Sequence, residues 1–249
     1  MTRRRWIADQ FSDDSASLTG AQAEHLARVL RAQPGTQADI VAGGRVFLGS
    51  IASVSHDEVR FDLIEEIAAE RALPLTLVLA IFKYDRLEWA IEKATELGVA
   101  TIVPVIARRT EKHLAQSADK RVERWRRLAH EAAKQSRRAD VPVIEDPIPL
   151  PARLKLATPG VRILLAEDER GTTLSQRVQA ALGGNESQAD LPEFSLPEFQ
   201  VAVGPEGGWA AEELALFAKS GWLAASLGPR ILRAETAAIA ALAVAASLL

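Results

Sequence analysis

The chain has 249 residues, enough for one large domain or two ordinary ones, and its 48% apolar and 25% charged residues are typical of globular proteins. The absence of cysteine excludes disulfides, thiolate catalysis and cysteine-ligated metal centres, and indicates a reducing, cytoplasmic setting. The formal charge of -3 hides a basic segment between Pro104 and Asp140, where eleven Lys and Arg residues outnumber five acids.

Residues 1–70 predict a small β-rich unit with one inserted helix. Apolar and polar residues alternate along 58–64, as expected for a half-buried antiparallel strand. Val46 and Leu48 repeat the alternation after a Gly-Gly turn. Apolar residues at helical spacing within 19–31 predict the helix.

Residues 74–249 predict an α/β domain, because apolar strands and helices alternate along the chain. Asp85 is expected to cap the first helix, a basic helix should run from about Asp119 to Arg137, and the apolar tract 236–249 should form a buried helix. The composition of 183–197 predicts an exposed loop. The strands of a mainly parallel sheet are expected at Leu75–Phe82, Thr101–Val105, Val161–Ala166, Gln200–Val203 and Leu223–Leu227.

Two apolar runs near the end of the chain stop at glycine and proline and then restart as helix-like patterns. The first is Val201–Trp209 and the second is Leu227–Thr236. We expect neighbouring strands to project these glycine-rich loops, in which a ligand could approach main-chain amides at a helix start. The glycines alone favour an ordinary strand-to-helix turn without a ligand. The charged residues of the second loop, Arg230 and Arg233 among them, favour a cofactor site.

Other types of site lack their signatures. The chain has neither of the common glycine-rich nucleotide-binding motifs, nor the Gly-x-Ser-x-Gly motif of serine hydrolases. Its four histidines lack metal-ligand spacing, so no metal site is predicted. The basic segment could be a solvated helix face, but its excess charge, together with Arg3–Arg5, favours a polyanion-binding surface and hence RNA.

The chain resembles the 16S ribosomal RNA uracil-N3 methyltransferases of the SPOUT superfamily. The motifs that carry the resemblance occur in the expected order over both predicted domains. They are Arg4–Trp6, His25–Arg31, Lys83–Gly98, Ile102–Val105, His130–Arg137, Gly204–Trp209 and Leu227–Leu242.

The resemblance implies a PUA-like β-barrel that binds RNA in residues 1–70. It further implies a SPOUT-type trefoil-knotted α/β domain in residues 74–249, with a mainly parallel sheet flanked by helices. Such a protein would be a cytoplasmic homodimer in which each site is completed near the partner subunit. It would transfer a methyl group from S-adenosylmethionine to N3 of a uridine in 16S ribosomal RNA of the small ribosomal subunit.

The resemblance also assigns roles to individual residues. Arg233 would stabilise negative charge on the uracil carbonyls, and Glu235 would accept the N3 proton or orient Arg233. The cofactor would contact Leu165, Ala166, Gly204, Glu206, Gly208, Leu227, Gly228, Ile231, Leu232 and Thr236. The RNA would contact Arg3, Arg4, Arg5, Arg28, Arg31, Lys83, Arg109, Arg124, Arg127 and Arg138.

Two alternatives stay open at this point. The same fold could methylate a ribose 2'-hydroxyl or a transfer RNA base. A chain of this fold could also be a non-catalytic RNA-binding assembly factor, which would bind no S-adenosylmethionine.

Overall fold

The computed structural model describes residues 4–68, 72–183 and 197–249, so Arg3 and the interior of the predicted loop 183–197 lie outside the described residues. Two compact units are present. One comprises Met1–Arg71 with Ala133–Val141, and the other Ala72–Ala132 with Pro142–Leu249. The inclusion of Ala133–Val141 in the first unit was not expected from the sequence.

The first unit is a curled six-stranded sheet in the order β1-β4-β5-β6-β3-β2. The pair β1 and β4 is parallel, and the other neighbours are antiparallel. A short α1 (Gly20–Glu24) continues into a π-helical turn (His25–Val29), which confirms the inserted helix. Val59 and Phe61 are fully buried, as their alternation predicted. The strands are β1 (Arg5–Ile7), β2 (Gln10–Phe11), β3 (Ser15–Thr19), β4 (Gln37–Ala42), β5 (Arg45–Val54) and β6 (Glu58–Ile67).

The second unit contains a seven-stranded sheet in which every pair is parallel, which confirms the predicted α/β class. The strand order is β10-β8-β7-β12-β11-β13, with β9 beside β8. The expectation that the two glycine-rich loops follow neighbouring strands is wrong, because β11 lies between β12 and β13 and pairs with both. The strands are β7 (Leu73–Ala80), β8 (Val99–Ile106), β9 (Val143–Ile144), β10 (Ile148–Pro149), β11 (Val161–Leu165), β12 (Phe199–Val203) and β13 (Leu223–Ala225).

Helices follow most of these strands. Lys83 rather than Asp85 is the N-cap of the first, and Asp85 lies in its first turn, where a carboxylate favours the helix dipole. The predicted basic helix begins with a 3-10 turn at Asp119–Arg121. The helices are α2 (Tyr84–Glu96), α3 (Lys112–Ser117), α4 (Val122–Ser136), α5 (Leu150–Arg153), α6 (Leu174–Gly183), α7 (Ala211–Lys219) and α8 (Ala234–Ala246).

The parallel sheet is buried on both faces, as such sheets require. In β7, Leu77 belongs to a core with residues of α2, α4, α6 and α8, whereas its neighbour Val78 belongs to a second core with α5 and α7. Helix α8 lies in the first core and buries mostly alanines, which allow close packing against α2. Within the described ranges, every helix is too short or too polar to cross a membrane.

Candidate active site at the carboxyl edge of the parallel sheet

A cavity of about 280 Å³ opens where three strands of the second unit end. Its walls are the loops that follow β11, β12 and β13, with Ala234 and Ala237 of α8 closing one side. Ligand sites in open α/β sheets form at this edge, because loops of successive strands converge there. Three loops that are distant in the sequence therefore build one site.

The loop after β12 is held in place by Trp209. The indole Nε1 of Trp209 donates a hydrogen bond to the carbonyl of Leu165 at 3.2 Å, which joins this loop to the end of β11. The indole also packs edge-on against Phe217 of α7, with ring centroids 4.8 Å apart. A side chain at Gly204 would lie 3.2 Å from Trp209, so a glycine lets the indole approach. The loop is therefore anchored on both sides.

Gly208 provides the turn of the same loop. Its φ is +68°, which glycine adopts far more readily than other residues, and its amide donates to the Pro205 carbonyl at 2.8 Å. The loop after β13 uses Gly228 in a similar way, with a φ of +114°. The hydroxyl of Ser226 accepts the Gly228 amide at 3.1 Å. Both loops therefore depend on glycine backbone geometry where they face the cavity.

The structure brings together nine of the ten predicted cofactor residues. Thr236 is the exception, because it is exposed on α8 while its neighbours Ala234 and Ala237 face the cavity. The nine that line the cavity are Leu165, Ala166, Gly204, Glu206, Gly208, Leu227, Gly228, Ile231 and Leu232.

The predicted catalytic residues occupy different environments. Arg233 is exposed and is the N-cap residue of α8. Glu235 is only 5% exposed, and its Oε2 has no hydrogen-bond partner among the described residues. The other oxygen of Glu235 lies 3.8 Å from Nε of Arg86 rather than beside Arg233. Arg86 also donates to Glu206 at 2.9 Å, so one guanidinium contacts two predicted site residues.

Arg109, which was predicted to contact RNA, lines the cavity. Its guanidinium donates to the carbonyl of Gly207, and its aliphatic stem would lie 3.4 Å from a side chain added there. The preceding residue is tied to α7, because the buried Glu213 accepts the amides of Arg108 at 2.7 Å and Ala210 at 2.9 Å. The loop after β8 is thereby attached to the loop after β12.

Charged residues after β11 also line the cavity, although the sequence interpretation assigned them no role. They are Glu167, Asp168 and Arg170, and a charged run directly after a buried strand was the available signal. Between them, Glu169 accepts the amides of Gly171 at 2.6 Å and Thr172 at 3.0 Å. These backbone hydrogen bonds, led by the one from Gly171, lower the pKa of Glu169 because they stabilise the carboxylate.

In the first unit, several predicted RNA-binding arginines already have protein partners. Arg5 donates to the carbonyl of Arg137, and Arg28 pairs with Glu24 at 2.7 Å. The Arg138 side chain is only 9% exposed and pairs with Asp140 at 2.6 Å, so its position does not suit a phosphate contact. Two other predicted residues, Arg4 and Arg31, are exposed.

In the second unit, Lys83 and Arg127, which were predicted to contact RNA, are exposed. Arg124 is exposed as well, and it donates to Glu88 of α2 at 2.8 Å. This hydrogen bond raises the pKa of Arg124, since it stabilises the charged guanidinium. In the described part of the chain, no group of His, Cys, Asp and Glu residues has an arrangement that could hold a metal ion.

Comparison with known proteins shows the family of the chain. Residues 69–246 match a family model described as an RNA methyltransferase domain, and residues 18–64 match an RNA methyltransferase PUA domain. Ribosomal RNA small subunit methyltransferase E of Synechocystis sp. is 34% identical, over 94% of this chain and 74% of that protein. The protein of the same name from Bacillus subtilis is 33% identical, over 91% of this chain and 87% of its own length.

Solved structures of similar proteins support the same family. Ribosomal RNA small subunit methyltransferase E of Neisseria gonorrhoeae, bound to S-adenosylmethionine, aligns with a TM-score of 0.74 and 27% identity, over 97% of this chain and 95% of that one. A Legionella pneumophila methyltransferase structure with the same cofactor has a TM-score of 0.75 and 28% identity, over 99% of this chain and 98% of that one. The chain therefore belongs to the RNA methyltransferase family whose curated members include ribosomal RNA small subunit methyltransferase E.

Proposed function

We propose that this protein transfers a methyl group from S-adenosylmethionine to N3 of a uridine in 16S ribosomal RNA of the small ribosomal subunit. The observation that carries the proposal is the convergence of nine predicted cofactor residues, from three separate loops, on one cavity. Relatives named ribosomal RNA small subunit methyltransferase E support the RNA substrate. The choice of N3 rests on the resemblance of the sequence motifs.

The residues of the cavity fit this cofactor. The cavity volume of about 280 Å³ lies just below the usual range of small-molecule sites, roughly 300–1,000 Å³. Leu165, Leu227 and Leu232 offer apolar contacts to an adenine ring, and backbone groups beside Gly204 and Gly228 are accessible to its polar edge. Bound there, S-adenosylmethionine would supply an electrophilic methyl group on a sulfonium.

The acceptor nitrogen of uridine carries a proton and is a poor nucleophile until that proton leaves. Arg233 is exposed at the start of α8, where its guanidinium can stabilise the negative charge that develops on the uracil carbonyls. Glu235 is buried beside Arg86 rather than Arg233, so its position favours orientation of Arg86 over direct removal of the N3 proton. Alignment of the uridine with the cavity would provide much of the remaining rate enhancement.

N3 lies on the pairing edge of uracil, so the target uridine must be unpaired or removed from its stack. Exposed cations, Arg4 and Arg31 of the first unit and Lys83 and Arg127 of the second, could hold the flanking phosphates. We propose that the protein works in the cytoplasm as a homodimer, and that its α/β domain is threaded as a trefoil knot. Light scattering of the purified protein tests the dimer directly.

Two measurements test the function. Isothermal titration calorimetry should detect binding of S-adenosylmethionine, and no binding would favour the non-catalytic assembly factor. Mass analysis of nucleosides from 16S ribosomal RNA should show loss of N3-methyluridine in cells that lack the protein. Unchanged N3-methyluridine together with the loss of a 2'-O-methylated nucleoside, or of a transfer RNA modification, would assign a different acceptor.

A further inference from the structure

Arg86 joins two elements that contribute to the cavity but are distant from each other in the sequence. It lies in the first turn of α2, and its side chain is 32% exposed. Its Nη1 donates to Oε1 of Glu206 in the loop after β12 at 2.9 Å. Its Nε lies 3.8 Å from Oε1 of Glu235 in α8. A planar guanidinium has several donors in a fixed arrangement, so one side chain can serve both carboxylates.

The two carboxylates differ in their access to water. The Glu206 side chain is 33% exposed and lines the cavity, whereas the Glu235 side chain is 7% exposed. A buried carboxylate is costly unless a nearby charge or dipole compensates it. The amino terminus of α8 provides a favourable dipole for Glu235, and Arg86 provides a positive charge. The position of Arg86 is thus determined by a buried partner on one side, while its other side contacts the cavity wall.

We propose that Arg86 is a positioning residue that fixes Glu206, and with it the loop after β12, in the arrangement that binds the cofactor. This inference rests on the proposed function, since it concerns the same cavity. Arg86 is held by Glu235, acts through Glu206 and is absent from the cavity lining formed by the described residues. Its loss should therefore weaken cofactor binding more than RNA binding.

The test compares Arg86→Gln, Arg86→Lys and Glu206→Ala in the full-length protein. Arg86→Gln should raise the KM for S-adenosylmethionine about tenfold and leave the KM for RNA within twofold, because it removes a charge-assisted hydrogen bond. Arg86→Lys, which keeps the charge, should recover part of the loss. In the Glu206→Ala background, Arg86→Gln should raise the KM for S-adenosylmethionine by no more than about a further twofold, since the contact between the two residues is already gone.

Lys93→Gln is the matched control. Lys93 lies on the same helix and pairs with Glu92 and Glu96 instead of Glu206 or Glu235, with 29% of its side chain exposed. Its replacement should leave both KM values unchanged.

Three results would overturn the inference. The first is an unchanged KM for the cofactor in Arg86→Gln. The second is a double variant in which the effects of Arg86→Gln and Glu206→Ala on that KM multiply independently. The third is a melting temperature that falls in Arg86→Gln and does not recover in Arg86→Lys. If the wild-type protein itself binds no S-adenosylmethionine, the proposed function fails instead.

Discussion

Replacement of Gly208 provides a direct test of the cavity. Its φ of +68° lies in the left-handed region, whereas an added Cβ would meet only ordinary contacts, about 3.9 Å from Arg109 and Glu167. The penalty for Gly208→Ala is therefore backbone strain rather than a clash. Left-handed geometry costs a residue other than glycine roughly 1–2 kcal/mol, and a β-branched residue such as valine more.

That strain should appear as lost affinity for the cofactor. If the loop relaxes in the free protein, it must return to the strained conformation to bind, and 1–2 kcal/mol corresponds to roughly 5- to 30-fold weaker binding. Isothermal titration calorimetry with S-adenosylmethionine measures this directly. Gly208→Val should bind more weakly than Gly208→Ala, and RNA affinity should persist in both variants.

Gly35→Ala is the matched control for strain. Gly35 has a φ of +86° and no atom within 4 Å of an added Cβ, but it lies in a turn of the first unit. Gly35→Ala should lose about as much folding stability as Gly208→Ala and keep wild-type affinity for the cofactor. If Gly208→Ala binds S-adenosylmethionine within twofold of wild type, the Gly208 turn does not shape the cofactor site.

Substitutions in three other parts of the molecule can also be tested. Arg127→Glu should weaken RNA binding and reduce the slope of log K against log salt by about 0.7 to 0.9 for each phosphate that the variant no longer neutralises. Arg124→Glu should also lower the melting temperature, because the new carboxylate faces Glu88, and an unchanged slope in both variants would place the RNA elsewhere. The lowered pKa of Glu169 means that its contribution to stability is present above the ordinary Glu pKa and is lost as pH falls through the lower folded value. The stability difference between wild type and Glu169→Gln should therefore be constant above that window and shrink as pH falls through it, and a difference that does not change with pH would contradict this. Gly160→Ala should destabilise the fold by roughly 2–5 kcal/mol in denaturant unfolding, since its Cβ would lie 2.2 Å from the Glu198 carbonyl at a φ of +91°, and stability equal to wild type would refute that geometry.

Local patterns in the sequence predicted the main elements of the second unit. The apolar runs predicted five of its seven strands, because strands covered on both faces cannot contain many polar residues, whereas the two-residue strands β9 and β10 were missed. Glycine and proline at 204–208 and at 228–229 predicted the loops, because the required backbone geometry excludes most other residues. The motifs predicted the family, which the comparisons confirm.

Only the tertiary structure decided which distant residues meet. The strand order that inserts β11 between β12 and β13 depends on packing of the whole sheet and has no local signal. For the same reason, the contact of Arg86 with Glu206, 120 positions away, could not be predicted from spacing. The ion pair of Arg124 also depends on the fold, because its partner Glu88 belongs to another helix, α2. Residue types thus determined the local conformations, and long-range packing determined the site.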